Sequence, residues 1–360
     1  MKLFNVGALR PATDGARLSA ANDLVQRTLA RHGLVTQSGQ VVPQKMPSLP
    51  SLNSMLDQFT GPKVNARAFD ITVPEGAQFR LDTYSCSAGS RTYRTYIPAS
   101  ATEGVTGVIL MLHGCTQTPE DFAAGTGMNA LAEQHRFVVV YPAQSRGENA
   151  QSCWNWFSRG DQQRGKGEPA ILAGIASSIA KEHGITRDHT FVAGLSAGAA
   201  MAVILGETYG DVFAAVGAHS GLPTGAAKDV VSAFAAMGGS APDTETQPQS
   251  ASETRTIVFH GTADATVHPL NGDAIARRAV KFNAPQSIET IAKGTVAGRQ
   301  FTRVTSSDLQ GKPVVEHWMI EGQGHAWSGG QSAGSYTDAK GPNASTEMIR
   351  FFFNTPDKDL

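Results

Sequence analysis

The stretch Thr190-Phe191-Val192-Ala193-Gly194-Leu195-Ser196-Ala197-Gly198-Ala199-Ala200-Met201 decides how the rest of the chain is read. Phe191, Val192 and Ala193 make a short apolar run that reads as a buried strand, and a small-residue helix pattern occupies residues 199–209. Between them lies Gly-x-Ser-x-Gly, a pattern that acquires meaning when a strand precedes it and a helix comes after. A turn this tight holds its serine in strained backbone geometry, so a side chain at either flank would collide with neighbouring backbone. Glycine at Gly194 and Gly198 removes that collision. The helix behind Ser196 aims free N–H groups at the site and favours negative charge there. The bland alternative is a glycine-punctuated turn carrying an ordinary surface serine.

Outward from this stretch, the composition is that of a globular protein. The chain has 360 residues, 41% hydrophobic and 17% charged, enough for one large α/β core. With 30 basic and 31 acidic residues the net charge is −1, which offers no electrostatic case for nucleic acid or an anionic membrane as partner. No apolar run approaches the roughly 20 residues that span a bilayer. The opening residues 1–10 contain one Lys but no sustained apolar h-region, and Arg10, Asp14 and Arg17 keep the next stretch polar. A cytoplasmic location is the expectation, with secretion as the alternative. Cys86, Cys115 and Cys153 match no zinc spacing and cannot all pair, so no metal is expected and the redox compartment stays open.

Residues 1–65 read as a distinct N-terminal segment, with an amphipathic helix over 19–34 and a Pro/Ser/Gln/Gly-rich loop over 38–63; residues 66–360 form the main domain. Alternation over 69–73, 80–85 and 91–97 predicts antiparallel strands on one edge. Apolar runs at 105–112 and 137–141 predict strands buried on both faces. Further strands are expected at 191–193, 213–219, 256–260 and 314–320, with helices at 128–134, 168–183, 270–282 and 345–353 and a loop over 221–254. Such alternation argues for a mostly parallel sheet with helices on both faces, whose ligands sit at the carboxyl ends of the strands.

Three motifs fall at those ends: His113-Gly114-Cys115-Thr116-Gln117, Gly261-Thr262-Ala263-Asp264 and Glu321-Gly322-Gln323-Gly324-His325-Ala326-Trp327. With Ser196 they supply a nucleophile, an acid and a base in the order Ser…Asp…His, the chain order of α/β-hydrolases. A serine hydroxyl attacks well only when a neutral imidazole takes its proton, and His325 is the expected base. Asp264 would hold the imidazole tautomer and stabilise the imidazolium. The backbone N–H groups of Ala197 and Cys115 are the expected oxyanion donors. Asp273 and Asp338 are rival acids, and Asp264 could be a turn aspartate. His113, His219, His260 and His268 also lie near strand ends. Trp327 is expected to line the site, whereas Trp154 and Trp156 read either as core or as groove residues.

Five segments occur in a telling order: His113–Gln117, Cys153-Trp154-Asn155-Trp156-Phe157, Gly165-Lys166-Gly167-Glu168-Pro169, Gly194–Gly198 and the glycine-rich run 322–330. Together they resemble the esterase family of poly(3-hydroxybutyrate) depolymerases, related to feruloyl and acetylxylan esterases. The likeness runs over about residues 84–353. It implies a cofactor-free serine α/β-hydrolase with Ser196, Asp264 and His325 as triad and Cys115 with Ala197 at the oxyanion hole. It also implies a Cys115–Cys153 bridge and Trp154 near the substrate groove; Trp156 and Trp327, by their place in the proposed site loops, are the other expected substrate-binding residues. The expected reaction is hydrolysis of carboxylic esters, with 3-hydroxybutyrate esters or oligomers as substrates. A feruloyl or acetylxylan esterase is the nearest alternative, and a non-catalytic hydrolase-fold binding protein is the alternative of another class.

Overall fold

Val108-Ile109-Leu110-Met111-Leu112 is buried at every position, and its side chains point alternately into two different cores. Val108, Leu110 and Leu112 belong to one apolar cluster, Ile109 and Met111 to the other. The same division splits Val138 and Val140 from Val139 and Tyr141, and Val258 from Ile257 and Phe259. A sheet covered on both faces results directly from strands of this composition. The computed structural model describes residues 71–241, 247–250 and 253–354. The expected N-terminal helix and loop over 1–65 lie outside the described residues.

The sheet has ten strands. In chain order they are β1 (Gln78–Cys86), β2 (Gly89–Ile97), β3 (Val108–Leu112), β4 (Val138–Pro142), β5 (Thr190–Leu195), β6 (Ala215–His219), β7 (Arg255–Gly261), β8 (Ile288–Val296), β9 (Arg299–Ser307) and β10 (Pro313–Ile320). Across the sheet they run β1-β2-β4-β3-β5-β6-β7-β10-β9-β8. The six from β4 to β10 are mutually parallel, with an antiparallel pair at either edge. This is the mixed sheet of an α/β-hydrolase. The helices are α1 (Pro119–Thr126), α2 (Met128–His135), α3 (Gly167–Glu182), α4 (Ala197–Thr208), α5 (Val230–Ala235), α6 (Leu270–Asn283) and α7 (Ala344–Phe352). Helices α3, α4 and α6 contribute to the first cluster, and α1, α2 and α7 to the second.

Four features differ from the sequence expectation. Residues 71–73 form no strand, so the expected strand at 69–73 is absent over its described part. The hairpin β8–β9 is not anticipated by the pattern, because β8 is an edge strand with most of its residues exposed and carries no apolar face to announce it. Helix α1 is also additional. It is only eight residues long, and its signals are a cap, the Thr118 hydroxyl accepting the Asp121 N–H, with Pro119 in the first turn. Within the expected 221–254 loop sits α5, capped by Asp229 and Ser232 reciprocally.

The parallel order places the ends of β3, β5, β6, β7 and β10 in one row. At the centre of that row, a Cβ on Gly198 would lie 2.1 Å from the Leu112 carbonyl oxygen and 2.6 Å from that of His113. One on Gly194 would lie 2.4 Å from the Gly198 carbonyl carbon. The glycines of the elbow are therefore required by backbone meeting backbone, as the pattern implied. Gly198→Ala is expected to destabilise the fold by about 3 kcal/mol or more, since no flexible side chain can yield there. Thermal and urea denaturation check this; a variant melting with the wild type would mean that the strand end moves aside at no cost.

Candidate active site

Ser196 sits between β5 and α4 with φ 58° and ψ −120°, a region that non-glycine residues rarely occupy. Its N–H donates to the His219 carbonyl at 2.9 Å, which ties the strained turn to the end of β6. Behind it, Ala197 opens α4, where a first-turn N–H has no intrahelical acceptor. Neither the Ala197 N–H nor that of Cys115 donates to a protein acceptor among the described residues. Two backbone donors are thus left unbonded, one at the start of the helix behind the serine and one on the loop after β3.

The loop after β7 brings Asp264 to this row, and the loop after β10 brings His325. His325 Nδ1 donates to Asp264 Oδ2 at 2.8 Å, which leaves Nε2 as the lone-pair nitrogen. The Asp264 side chain is fully buried. Its other oxygen accepts the N–H groups of Thr266 at 3.0 Å and Val267 at 2.9 Å. Burial alone would raise its pKa. The His260 and His325 rings and the Val267 N–H outweigh that and hold the carboxyl well below the usual carboxylate range. Ser196 Oγ forms no hydrogen bond to His325 among the described contacts, and apo sites often show this contact long or unmade. The rival acids are engaged elsewhere: Asp338 with Arg299 at 2.6 Å, and Asp273 3.7 Å from His317 Nδ1.

Among the other strand-end histidines, His113 and His219 are held as neutral rings. His113 Nε2 accepts the Gln144 N–H at 3.1 Å, so its Nδ1–H donates to the Gly114 carbonyl at 2.7 Å. Burial lowers its pKa to about 4. His219 Nε2 accepts the Ser328 N–H at 3.0 Å, and its ring lies between Phe259 and Trp327. Burial, with His260 and His325 nearby, lowers its pKa to about 3. Because Ser196 hangs from the His219 carbonyl and Ser328 is three residues beyond His325, His219 joins the serine turn to the His325 loop. His260 Nε2 donates to the Val267 carbonyl at 2.8 Å and lies 3.5 Å from Asp264. His268 is outside this row and accepts the Leu270 N–H.

Cys115 and Cys153 form a disulfide, with Cα atoms 4.3 Å apart, and Cys86 is free. Beneath the bridge lies a buried carboxylate whose role the sequence did not reveal. Glu168 accepts from the Asn155 N–H at 2.8 Å, from the Asn155 and Gln144 side-chain amides, and from Arg91 at 3.4 Å. Burial pushes its pKa up to about 7 against those hydrogen bonds. Gln144 in turn holds the Cys153 carbonyl and the His113 ring, so this network supports the loop that carries the Cys115 N–H.

The tryptophans require a correction. Trp154, Trp156 and Trp327 are 0%, 5% and 1% exposed and do not line an open groove. Indole N–H groups need partners when buried, and two find them inside: Trp154 on the His113 carbonyl and Trp327 on Ser345 Oγ, each at 3.0 Å. They brace the site loops from within. Other residues escaped the sequence reading. Gln117 Oε1 accepts the Gly114 N–H at 2.9 Å, and Asp121 holds Ser335 of the loop after His325. Their signal was only the polar run after β3, which names no partner.

Known proteins resemble this chain. The profile of the family described as Esterase PHB depolymerase matches residues 91–299, a stretch that contains Ser196 and Asp264 and ends before His325. Poly(3-hydroxyalkanoate) depolymerase C of Paucimonas lemoignei is 32% identical over 231 residues, covering 61% of this chain and 54% of that protein. The chain therefore spans about half the length of that relative. Acetylxylan esterase A of Talaromyces purpureogenus is 26% identical over 273 residues, covering 70% and 68%. Among solved structures, an acetyl xylan esterase from Aspergillus awamori superposes with a TM-score of 0.58 at 19% identity, covering 77% of this chain and 98% of that one. That last likeness is one of fold.

Two measurements check the site. Denatured without reductant, the protein should expose one reactive thiol, Cys86, and with reductant three. Asp264→Asn should cost about 1.5–3 kcal/mol at neutral pH, because hydrogen bonds to a charged carboxylate are lost. A folded-state pKa held below the unfolded value of about 3.9 stabilises above that pH and ceases to do so as pH falls through the folded value. The gap between wild type and variant in urea denaturation should therefore narrow from about pH 5 to about pH 3.

Proposed function

The chain belongs to the Esterase PHB depolymerase family, and from that premise we propose that it hydrolyses carboxylic esters through an acyl-enzyme on Ser196. The observation that carries this reading is the buried Asp264–His325 hydrogen bond beside a serine held at φ 58°. Asp264 stays ionised and fixes the proton on His325 Nδ1, so Nε2 is the base. Nε2 takes the Ser196 hydroxyl proton as Oγ attacks the ester carbonyl carbon. The oxyanion that forms is met by the N–H groups of Ala197 and Cys115 and by the N-terminus of α4. As the tetrahedral centre collapses, the ester C–O bond breaks and the imidazolium protonates the departing alcohol. Water, deprotonated by the same nitrogen, then attacks the acyl-enzyme and releases the acid together with the serine.

The proposed substrates are neutral aliphatic hydroxyacid esters, 3-hydroxybutyrate esters or oligomers foremost, with acetylated xylan and feruloyl esters as the alternative. The depolymerase and acetylxylan esterase relatives support both, and the loops around Ser196 decide between them. A non-catalytic binding protein would have no use for a strained serine with an acid–base pair beside it. The Cys115–Cys153 bridge favours an oxidising compartment over the cytoplasmic default, since such bonds are rare in reducing cytosol.

Ser196→Ala should fold normally and lose at least about a thousand-fold in turnover, as removal of a nucleophile does in other serine hydrolases. A folded variant retaining a tenth of wild-type turnover would remove Ser196 from the reaction. Asp264→Asn should be heavily impaired, while Asp273→Asn and Asp338→Asn should not. A panel of 3-hydroxybutyrate oligomers, acetylated xylan and methyl ferulate, with products identified by mass, separates the substrate classes. Efficient ferulate release without any 3-hydroxybutyrate product would replace the aliphatic reading by the feruloyl one.

A further inference from the structure

Trp154, Trp156 and Trp327 are buried and offer no exposed aromatic surface. Among the described residues the exposed large hydrophobic side chains are aliphatic except for Tyr336, which is 38% exposed. Its hydroxyl lies 3.3 Å from Thr116 Oγ1, and Thr116 directly adjoins Cys115, the proposed oxyanion donor. Its carbonyl accepts the Trp327 N–H at 2.7 Å, two residues beyond His325. Tyr336 therefore touches both the oxyanion loop and the loop of the general base. It thus bridges the two loops that supply an oxyanion donor and the base in the proposed mechanism.

Its backbone is unusual as well. Tyr336 has φ 51° and its neighbour Thr116 has φ 66°. A bulky residue at positive φ is a true outlier that persists only where the surroundings over-determine it. Here the surroundings do so. Ser335 N–H donates to Asp121 Oδ1 at 2.7 Å, and Gln117 Nε2 donates to the Ser335 carbonyl at 3.1 Å. Gly334 presses on helix α1 so closely that a Cβ would lie 2.3 Å from the Gly125 Cα. These contacts anchor the segment just before Tyr336 to α1 and Gln117, and the Tyr336 ring stays exposed while that of Trp327 is buried. The polar side chains around it, Thr116, Gln117 and Ser335, are neutral, and the Asp121 carboxylate is buried and turned to Ser335. An exposed ring in uncharged surroundings suits a neutral ester chain.

We propose that Tyr336 is a specificity-determining residue of the Ser196 centre, its ring packing against the chain of an oligomeric neutral ester beyond the scissile carbonyl. This deepens the proposed esterase function and rests on it. The rival role is that of a strut, in which the Tyr336 hydroxyl merely ties its loop to Thr116. The two roles separate in Tyr336→Phe, which keeps the ring and removes the tie, and Tyr336→Ala, which removes both.

The test has a kinetic arm and a binding arm. In the first, kcat and KM are measured for a 3-hydroxybutyrate trimer and for p-nitrophenyl acetate, with thermal melts of each variant. Tyr336→Ala should lower the trimer-to-acetate ratio of kcat/KM about tenfold, chiefly through KM, the size expected for one aromatic contact. Tyr336→Phe should keep the wild-type ratio. In the second arm, trimer binding to Ser196→Ala is measured by calorimetry with and without Tyr336→Ala, where the Kd should rise by about the same factor. An unchanged ratio and Kd in Tyr336→Ala would overturn the proposal, as would equal damage from Phe and Ala with a lowered melting temperature. Should Ser196→Ala still turn over ester, the proposed mechanism fails, yet the two Kd values still decide the role of Tyr336.

Discussion

At the centre of the molecule, the end of β3 and the first turn of α4 occupy nearly the same space, separated only because Gly198 has no side chain. The carbonyls of Leu112 and His113 would lie 2.1 and 2.6 Å from any Cβ placed there. That contact fixes where the loop after β3 begins relative to Ser196, and the loop carries one of the two unpartnered N–H groups. The serine conformation, at φ 58°, stores about 1–3 kcal/mol of strain. The parallel sheet on either side holds it in place, since β5 is hydrogen-bonded to β3 and β6 along its length. Strain at Ser196 and close packing behind it are thus one constraint seen from two sides.

Buried polar groups carry that constraint outward. His219, His113 and Glu168 are each enclosed, and each is matched by donors or acceptors that define one protonation geometry. Unpaired, such groups would cost several kcal/mol in the interior. Paired, they bind the end of β6 to the loop after β10 and the loop after β3 to the segment after β4, which the apolar cores cannot do because those cores lie beneath the sheet faces. The disulfide between Cys115 and Cys153 ties the loop after β3 to the segment after β4 covalently. The side of the site toward solvent is built differently, with Ser335 and Tyr336 clamped by Asp121 and Trp327.

Much of this was legible in the chain because short-range physics dictates it. Runs such as Val108–Leu112 can only be strands covered on both sides, and the alternation of such runs with helices leaves few topologies besides a parallel sheet. The requirement for Gly194 and Gly198 could be stated from the turn alone. The places of Asp264 and His325 came from the rule that loops at carboxyl ends of strands meet, although the bond between them is a fact of the fold. The edge hairpin β8–β9 escaped because an exposed strand has no burial pattern to read. The tryptophans misled because an indole's size and polarity suit a groove and a core equally, and sequence neighbourhood to a site loop says nothing about which way the ring turns.

Local and topological features therefore belong to the chain alone: which segments are buried strands, where the strained serine turn lies, and in what order Ser196, Asp264 and His325 arrive. Pairings between distant segments belong to the packed fold. Glu168 meets Asn155 and Arg91, His219 meets Ser328, and Tyr336 meets Thr116 across a separation of 220 residues. These contacts depend on where loops come to rest after the sheet has assembled, and a polar side chain will accept any complementary partner. Only the packed backbone selects among them, by leaving Trp154 and Trp327 no route to the surface and Tyr336 no route to the interior.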